Sequence, residues 1–162
     1  MFQHVYSSVS QQLDCGPAVF LVLIDLSAAF DMVCHENLIS LLASKSSIGG
    51  NVLQCLQSYL SGRSYKVKID NSLSESVSCE VSIPQSNVLG PILFNCIMAP
   101  LYQILKFVGV GYHSYADDTQ IWVSFSEDKD SINNEAVARM RITRAFSAIS
   151  FFMQDNHLKL NP

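Results

Sequence analysis

The segment His113–Val123, HSYADDTQIWV, constrains the fold more than any other stretch because it sets two carboxylates side by side among strand-forming residues. Aromatic and β-branched residues flank Asp117 and Asp118, so we predict two short strands joined by a tight turn with the acids at its tip. Adjacent anions repel each other, and a divalent cation relieves that repulsion. Because Asp-Asp is also a common polar turn, the pair alone leaves a metal site and a plain turn open.

A second predicted strand also ends in an acid. Val19–Ile24 is a near-continuous apolar run followed by Asp25, which is the pattern of a strand buried on both faces. A carboxylate at the end of a buried strand is costly unless it is paired or bound to a metal. The sequence therefore predicts one site for hard cations, built from Asp25, Asp117 and Asp118.

The rest of the chain alternates helical and strand patterns. Strands are predicted at Tyr65–Ile69, Val77–Val81 and Leu158–Leu160. Helices are predicted over 35–44, from Asn51 as N-cap to Leu60, from Pro91 to Leu105 with a kink or an interruption at Pro100, and over 132–153 with Asn156 ending it in the left-handed conformation. This order predicts an α+β fold in which helices cover one face of an antiparallel sheet, while the other face, with the acids at its edge, stays open.

Length and composition indicate one folded domain, since 162 residues with 49% apolar content are enough for a core. We predict that residues 1–18 form a tail or loop and that residues 19–162 form the domain. No uninterrupted apolar run approaches the ~20 residues that span a bilayer, and no charged leader precedes a hydrophobic segment. We therefore expect no membrane partner and an intracellular location, cytoplasmic or nuclear. Five cysteines without CxxC spacing indicate free thiols rather than disulfides or a zinc site.

The net charge of −4 argues mildly against a free-standing nucleic-acid binder, because phosphate contacts require lysine and arginine. The best basic patch predicted from the sequence comprises Arg63, Lys66 and Lys68, the two lysines sharing one face of an exposed strand. Three such charges more often serve only solubility, so the patch leaves both interpretations open.

Four blocks of the sequence resemble successive motifs of the reverse transcriptases of non-LTR, LINE-type retrotransposons. The blocks are VLIDLSAAFD (22–31), PQSNVLGPILFN (84–95), YADDTQ (115–120) and FFMQDNHLKLNP (151–162). Tyr-Ala-Asp-Asp alone is a weak signal, whereas four blocks in the family's order are a strong one. The resemblance covers residues 19–162 and implies the palm of a right-hand polymerase with part of the fingers. We expect the chain to be a fragment of a retroelement reading frame that lacks the thumb and upper fingers.

The resemblance implies an RNA-directed DNA polymerase that adds dNTPs to the 3′-hydroxyl of a DNA primer on an RNA template. It implies that Asp25, Asp117 and Asp118 bind two Mg²⁺ ions, or Mn²⁺, roughly 3.5 to 4 Å apart. The backbone carbonyl of Leu26 would complete the oxygen shell of one metal.

The resemblance also assigns nucleotide and nucleic-acid contacts. Phe30 matches the bulky ring that lies under the nucleotide sugar and excludes a ribose 2′-hydroxyl. Gln85 and Ser86 lie in the loop that contacts the incoming nucleotide. The residues implied to face primer or template are Tyr115, Arg63, Lys66 and Lys68.

The sequence departs from the family at Ser82 and Ser86, which stand at or near positions where the family has glycine. A Cβ at a position that requires positive φ costs on the order of 1 kcal/mol. A catalytically inert remnant that acts as a binding or structural module is therefore an alternative, and we expect the isolated chain to be inactive. A different metal-dependent palm enzyme, such as a nucleotide cyclase, is a third interpretation, which the PQ…LGP and LKLN blocks disfavour.

Overall fold

The computed structural model describes residues 18–45, 48–84, 88–128, 130–132 and 134–161. Within these ranges the chain is mixed α+β, with four α-helices and small antiparallel sheets, as the order of predicted elements indicates. The helices are α1 (His35–Lys45), α2 (Gly50–Leu60), α3 (Leu89–Val108) and α4 (Glu135–Asp155), and a 3₁₀ helix covers Ala29–Met32. The strands are β1 (Ala18–Ile24), β2 (Leu26–Ser27), β3 (Ser64–Tyr65), β4 (Lys68–Ile69), β5 (Ser72–Leu73), β6 (Val77–Ser78), β7 (Gly111–Tyr115), β8 (Asp118–Phe125) and β9 (Lys159–Leu160).

The described residues fall into two compact units. The first unit contains residues 18–27 and 98–161, and the second contains residues 28–97. Of the predicted tail, residues 1–17 lie outside the described residues.

The first unit is built on an antiparallel sheet with the strand order β1-β8-β7. The central strand β8, which pairs with β1 on one side and β7 on the other, is buried from Thr119 to Val123. Gly111 pairs with Trp122, and a Cβ at Gly111 would lie 2.4 Å from the indole ring. Only glycine leaves room for the ring there, so the close approach of β7 and β8 depends on this residue.

The helices of the first unit contact one face of this sheet. Tyr102 of α3 stacks on Tyr112 with ring centroids 5.5 Å apart, and the Arg139 guanidinium of α4 lies 5.3 Å from the centre of the Phe20 ring. The register places Phe20 and Tyr112 on the same face. Both helices therefore contact this face of the sheet.

The other face of β1 is exposed, which contradicts the prediction that this strand is buried on both faces. Leu21 is 46% exposed and Leu23 is 65% exposed. The physical reason is that β1 is an edge strand, and the described residues leave its second face largely uncovered. An apolar run predicts a strand, but it does not predict whether one or both faces of that strand are covered.

The long helix α4 begins at the Asn134 cap, whose Oδ1 accepts a hydrogen bond from the Val137 N–H at 3.2 Å. Of the apolar residues at helical spacing that predict this helix, Ile149 and Met153 are buried, whereas Met140 and Phe146 are substantially exposed. The buried residues are Ala138, Ala145, Ile149, Phe152 and Met153. After the helix, His157 adopts the left-handed conformation with φ 57°, whereas Asn156 has φ −98°, so the predicted left-handed residue was wrong by one position.

In the second unit, α1 has the predicted position and buries Leu38 and Leu42. Helix α2 begins at Gly50 with Gly49 as its N-cap, so the prediction of Asn51 as the N-cap was wrong.

Strands β3 to β6 form a two-stranded ribbon, residues 63–79, which we call the basic ribbon. β3 pairs with β6, β4 pairs with β5, and Val67 exchanges hydrogen bonds with Ser74. Two residues, Glu75 and Ser76, therefore lie opposite Lys66, which is the arrangement of a β-bulge. This bulge interrupts the strand that the sequence predicts as continuous from Tyr65 to Ile69.

Helix α3 is continuous through Pro100, so of the kink or interruption predicted there the interruption was wrong. The helix begins two residues before Pro91. Its buried side forms a stripe at helical spacing that comprises Leu93, Phe94, Ile97, Met98, Leu101 and Leu105. By length and composition, α3 is the one helix within the described ranges that is apolar enough to cross a membrane, and 33% of its most apolar stretch is buried. A core helix passes the same test, so this property decides nothing about membranes.

Candidate active site

The structure brings the three predicted acids to one edge of the sheet in the first unit. Asp25 directly follows β1, Asp117 lies in the turn between β7 and β8, and Asp118 is the first residue of β8. Because Ile24 pairs with Thr119, the same register places Asp25 opposite Asp118. A hairpin is present as predicted, but its two-residue turn is Ala116-Asp117 rather than Asp117-Asp118, because Asp118 already pairs with Tyr115 as the first residue of β8. We call this end of the sheet the acid edge.

The turn that carries Asp117 contains only two residues, because Tyr115 pairs directly with Asp118. Its first residue, Ala116, is 3% exposed and has φ 55°. A residue with a Cβ rarely adopts positive φ, and doing so costs on the order of 1 kcal/mol. The packing around the buried methyl group holds the turn in this conformation.

Three hydrogen-bonded hydroxyl groups on the helix-covered face connect α3 to the two strands that flank the turn. The Tyr102 hydroxyl of α3 lies 2.6 Å from Ser114 Oγ, which lies 3.0 Å from Thr119 Oγ1. Ser114 and Thr119 pair across the two strands, one residue away from Tyr115 and Asp118. These contacts tie α3 to both strands of the hairpin next to the acids.

The acids interact electrostatically at the acid edge. Burial raises the pKa of the Asp117 carboxyl above its ordinary value, and the negative charges of Asp118 and Asp25 raise the pKa further, while a backbone hydrogen bond offsets part of the effect. Like charges close together disfavour ionisation of one another. A cation bound between them would reverse this penalty.

The residues at the acid edge fit a divalent cation in their chemistry, because carboxylates are the oxygen ligands that Mg²⁺ prefers. In the described part of the chain, however, no three histidine, cysteine, aspartate or glutamate side chains converge as a ligand cluster. Leu26, whose carbonyl was predicted to join them, is buried in β2 and pairs with Leu160. The structure therefore has the donor set without an assembled cluster.

Two polar residues near the acids had no predicted role. Gln120 is 6% exposed, and its Oε1 is buried without a hydrogen-bond partner among the described residues, which costs about 1 to 3 kcal/mol. Asn161 follows β9 and hydrogen-bonds to Asp25. The sequence signal for both is a polar residue inside or directly after an apolar strand.

Phe30, the predicted sugar-contacting ring, lies in the second unit. Its ring is tilted against the fully buried Phe94 with centroids 5.0 Å apart, and its carbonyl accepts a hydrogen bond from the Ile83 N–H at 2.8 Å. Gln85 and Ser86, the other predicted nucleotide contacts, lie outside the described residues.

Ser82, which stands near a glycine position of the family, has φ 88°. Its N–H donates to the Val33 carbonyl at 2.8 Å, and its own carbonyl accepts from His35 Nε2 at 2.7 Å. These bonds hold a residue with a Cβ in a conformation that favours glycine.

The predicted basic patch is only partly assembled. Lys66 and Lys68 are exposed on the basic ribbon. Arg63 instead folds back onto α2, where its Nε donates to the Tyr59 carbonyl at 2.6 Å and its guanidinium lies 4.4 Å from the centre of the Tyr59 ring. Tyr115, the remaining predicted nucleic-acid contact, is exposed opposite Asp118 in the hairpin.

Comparison with known proteins gives a consistent result. The sequence model of the family described as "Reverse transcriptase (RNA-dependent DNA polymerase)" matches residues 5–162. The chain is 38% identical over 99 residues to the probable RNA-directed DNA polymerase from transposon BS of Drosophila melanogaster, covering 61% of this chain and 10% of that protein. It is 30% identical over 103 residues to the RNA-directed DNA polymerase from mobile element jockey of Drosophila funebris, covering 60% of this chain and 11% of that protein. The matched regions thus span about a tenth of the length of these curated relatives.

Proposed function

Because this chain belongs to the reverse transcriptase family, we propose that it forms the palm and part of the fingers of an RNA-directed DNA polymerase of a non-LTR retrotransposon. The observation that carries the proposal is the acid edge, where the strand register brings Asp25, Asp117 and Asp118 to the same end of the sheet, next to the exposed side chains of Leu21 and Leu23 on β1. The raised pKa of Asp117 supports it, since burial first and the negative charges of Asp118 and Asp25 second disfavour the ionised carboxyl, and a divalent cation would offset both effects.

The proposed reaction adds a dNTP to the 3′-hydroxyl of a DNA primer paired with an RNA template. Asp25, Asp117 and Asp118 would hold Mg²⁺ or Mn²⁺, with the Leu26 carbonyl as a further oxygen ligand. Two bound ions would supply charge neutralisation at the reacting phosphate and activation of the primer hydroxyl. The protein's own part would be to hold the three carboxylates at one end of a sheet whose central strand is buried.

The remaining predicted residues would bind substrate and nucleic acid. Phe30 would exclude a ribose 2′-hydroxyl, and Gln85 and Ser86 would contact the nucleotide. Template and primer contacts are proposed for Tyr115, Arg63, Lys66 and Lys68. These substrates place the proposed activity where RNA and dNTPs occur together, in the cytoplasm or the nucleus.

Metal-dependent stability of the 162-residue chain tests the proposal. A ligand that binds only the folded state stabilises it by RT ln(1 + [L]/Kd), so Mg²⁺ at ~100 times its Kd should contribute about 2.7 kcal/mol. A thermal melt followed by circular dichroism should shift upward with Mg²⁺ or Mn²⁺ in the parent chain. The shift should be lost in Asp25→Asn and Asp117→Asn, and primer extension on an RNA template should be attempted wherever the shift is present. Equal responses to metal in the parent and both variants would contradict the proposal.

A catalytically inert remnant is the second candidate function. It is favoured by the unconverged carboxylates in the described part of the chain and by Ser82 at positive φ. This alternative predicts a cooperative melt that does not respond to Mg²⁺ or Mn²⁺. It also predicts that Asp25→Asn leaves every binding property unchanged.

A further inference from the structure

Asn161 is bonded to the carboxylate of Asp25 although 136 positions separate the two residues. The Asn161 Nδ2 group donates to Asp25 Oδ2 at 2.8 Å, and the Asn161 N–H donates to the Asp25 carbonyl at 3.0 Å. Asn161 thus holds both the backbone and the side chain of the acid that follows β1.

The strand pair β2-β9 creates this contact. Leu26 pairs with Leu160 and Ser27 pairs with Lys159, so the next position in the register sets Asn161 opposite Asp25. The backbone bond from Asn161 does not depend on its side chain. A substitution that removes only the amide should therefore leave the strand pair in place.

Ser27 fixes the orientation of the Asn161 amide. The Ser27 hydroxyl donates to Asn161 Oδ1 at 3.2 Å, so the amide turns its Nδ2 group toward Asp25. The ionised Asp25 carboxylate, which can only accept hydrogen bonds, therefore faces a donor. Ser27, Asn161 and Asp25 form a directed chain of two hydrogen bonds, which we call the Asn161 relay.

We propose that Asn161 is a positioning residue that orients the Asp25 carboxylate to bind a divalent metal cation, with Ser27 setting the orientation of the amide. This inference rests on the proposed function. The Asn161 relay engages Oδ2 and limits rotation of the side chain, which leaves Oδ1 available as a ligand. Groups that hydrogen-bond to metal ligands typically change metal affinity 10- to 100-fold when they are removed.

Titration of the 162-residue chain with Mn²⁺, with free Mn²⁺ measured by electron paramagnetic resonance, tests the inference. Asn161→Leu keeps the approximate shape of the side chain and removes its donor, so Kd should rise about 10- to 100-fold. Ser27→Ala should raise Kd in the same direction by a smaller factor. Asn37→Leu, the same change at an exposed position of α1, is the matched control and should leave Kd at the parent value.

A double variant separates positioning from a general effect on the fold. In the Asp25→Asn background, Asn161→Leu should cause no further loss of Mn²⁺ affinity, because the carboxylate that it orients is gone. A metal-free melt equal to that of the parent should accompany the loss in Asn161→Leu. If Asn161→Leu melts below the parent, Ser27→Ala with an unchanged melt and a raised Kd supports the inference in its place.

The outcomes distinguish this inference from the proposed function. If the parent binds Mn²⁺ through Asp25, and both Asn161→Leu and Ser27→Ala keep the parent Kd, the inference is overturned and the proposed function stands. If the parent and Asp25→Asn bind Mn²⁺ equally weakly, the metal step of the proposed function is overturned, and the inference falls with it.

Discussion

The acid edge of the first unit and the basic ribbon of the second unit are both strand hairpins, but they are built on very different supports. The acid edge lies at the start of β8. This strand has eight residues, a partner strand on each side and a buried middle. The basic ribbon consists of two-residue strands, all of them exposed. Its exposed apolar residues are Tyr65, Val67, Ile69, Leu73 and Val77.

The difference is in how the two hairpins are supported: the acid edge rests on a buried strand, whereas the basic ribbon has no buried strand. A two-stranded ribbon without a packed face is marginally stable in water. The carboxylates of the acid edge lie at the end of a sheet whose central strand is buried, so the backbone that carries them is supported by the core. The positions of Lys66 and Lys68 on the basic ribbon rest on few packing contacts.

The largest expected effect is a difference in the free energy of unfolding between a substitution in β8 and one in the basic ribbon. Ile121 is fully buried in β8, so Ile121→Ala should lower the free energy of unfolding by about 2 to 5 kcal/mol. Ile69 is 69% exposed at the tip of the basic ribbon, so Ile69→Ala should stay within about 0.5 kcal/mol. Urea denaturation of both variants measures the contrast. Similar losses in the two variants would mean that the ribbon shares a core with the sheet.

The next effect concerns the contact that lets β7 approach β8. Gly111→Ala puts a methyl group into the Trp122 ring and should cost about 1 to 3 kcal/mol. The control is the same change in a Trp122→Leu background, where the smaller side chain should remove most of the penalty. A double-mutant cycle by urea denaturation measures this coupling. A cost of equal size in both backgrounds would refute the steric explanation.

The sequence predicts the parts of this molecule that depend on local patterns. The acid hairpin follows from Asp117 and Asp118 between β-branched and aromatic residues, and α1 follows from leucines at helical spacing. The strand before Asp25 is predicted for the same reason. With antiparallel pairing, these elements suffice to bring the three acids to one edge of a sheet.

The features that sequence reasoning missed depend on distant contacts. The exposed face of β1 follows from its place at the sheet edge, which an apolar run does not encode. The buried face of α4 combines Ala138 and Ala145 with Ile149, Phe152 and Met153, and it leaves Met140 and Phe146 exposed, which helical spacing alone does not predict. The Asn161 relay joins residues at opposite ends of the chain. Only the assembled sheet brings them together.

A smaller effect compares backbone strain at two residues that have a Cβ and a positive φ, Ser82 in the second unit and Ala116 in the first. Ser82→Gly should raise stability by about 1 kcal/mol, because glycine adopts φ 88° without strain and the lost Ser82 hydroxyl bond to Asp31 is long at 3.4 Å. Ala116→Gly should raise stability by less than Ser82→Gly, because it also removes a buried methyl group that contributes about 0.8 kcal/mol. Thermal denaturation ranks the two variants. A larger gain at Ala116 would contradict this assignment of strain.

The smallest effect is the pH dependence of the acid edge. A raised pKa means that the folded state binds the Asp117 proton more tightly than the unfolded state, so stability falls as pH rises from the ordinary value through the raised one. Above that window the charged carboxylate destabilises the metal-free fold. Asp117→Asn should therefore be more stable than the parent at neutral pH by about 0.2 to 1 kcal/mol, the range of exposed charge interactions. At about pH 3, below the ordinary value, the two should be equal.

The basic ribbon supplies the control for this last effect. Glu75→Gln removes an exposed acid beside Lys66 and should give no gain in stability at neutral pH, because no like charge is relieved there. In saturating Mg²⁺ the parent should become more stable than Asp117→Asn, since the parent then gains metal-binding energy that the variant has lost. Urea denaturation at both pH values, with and without Mg²⁺, measures all of these differences. A gain for Asp117→Asn that persists in Mg²⁺ would mean that the carboxylates repel one another without binding a cation.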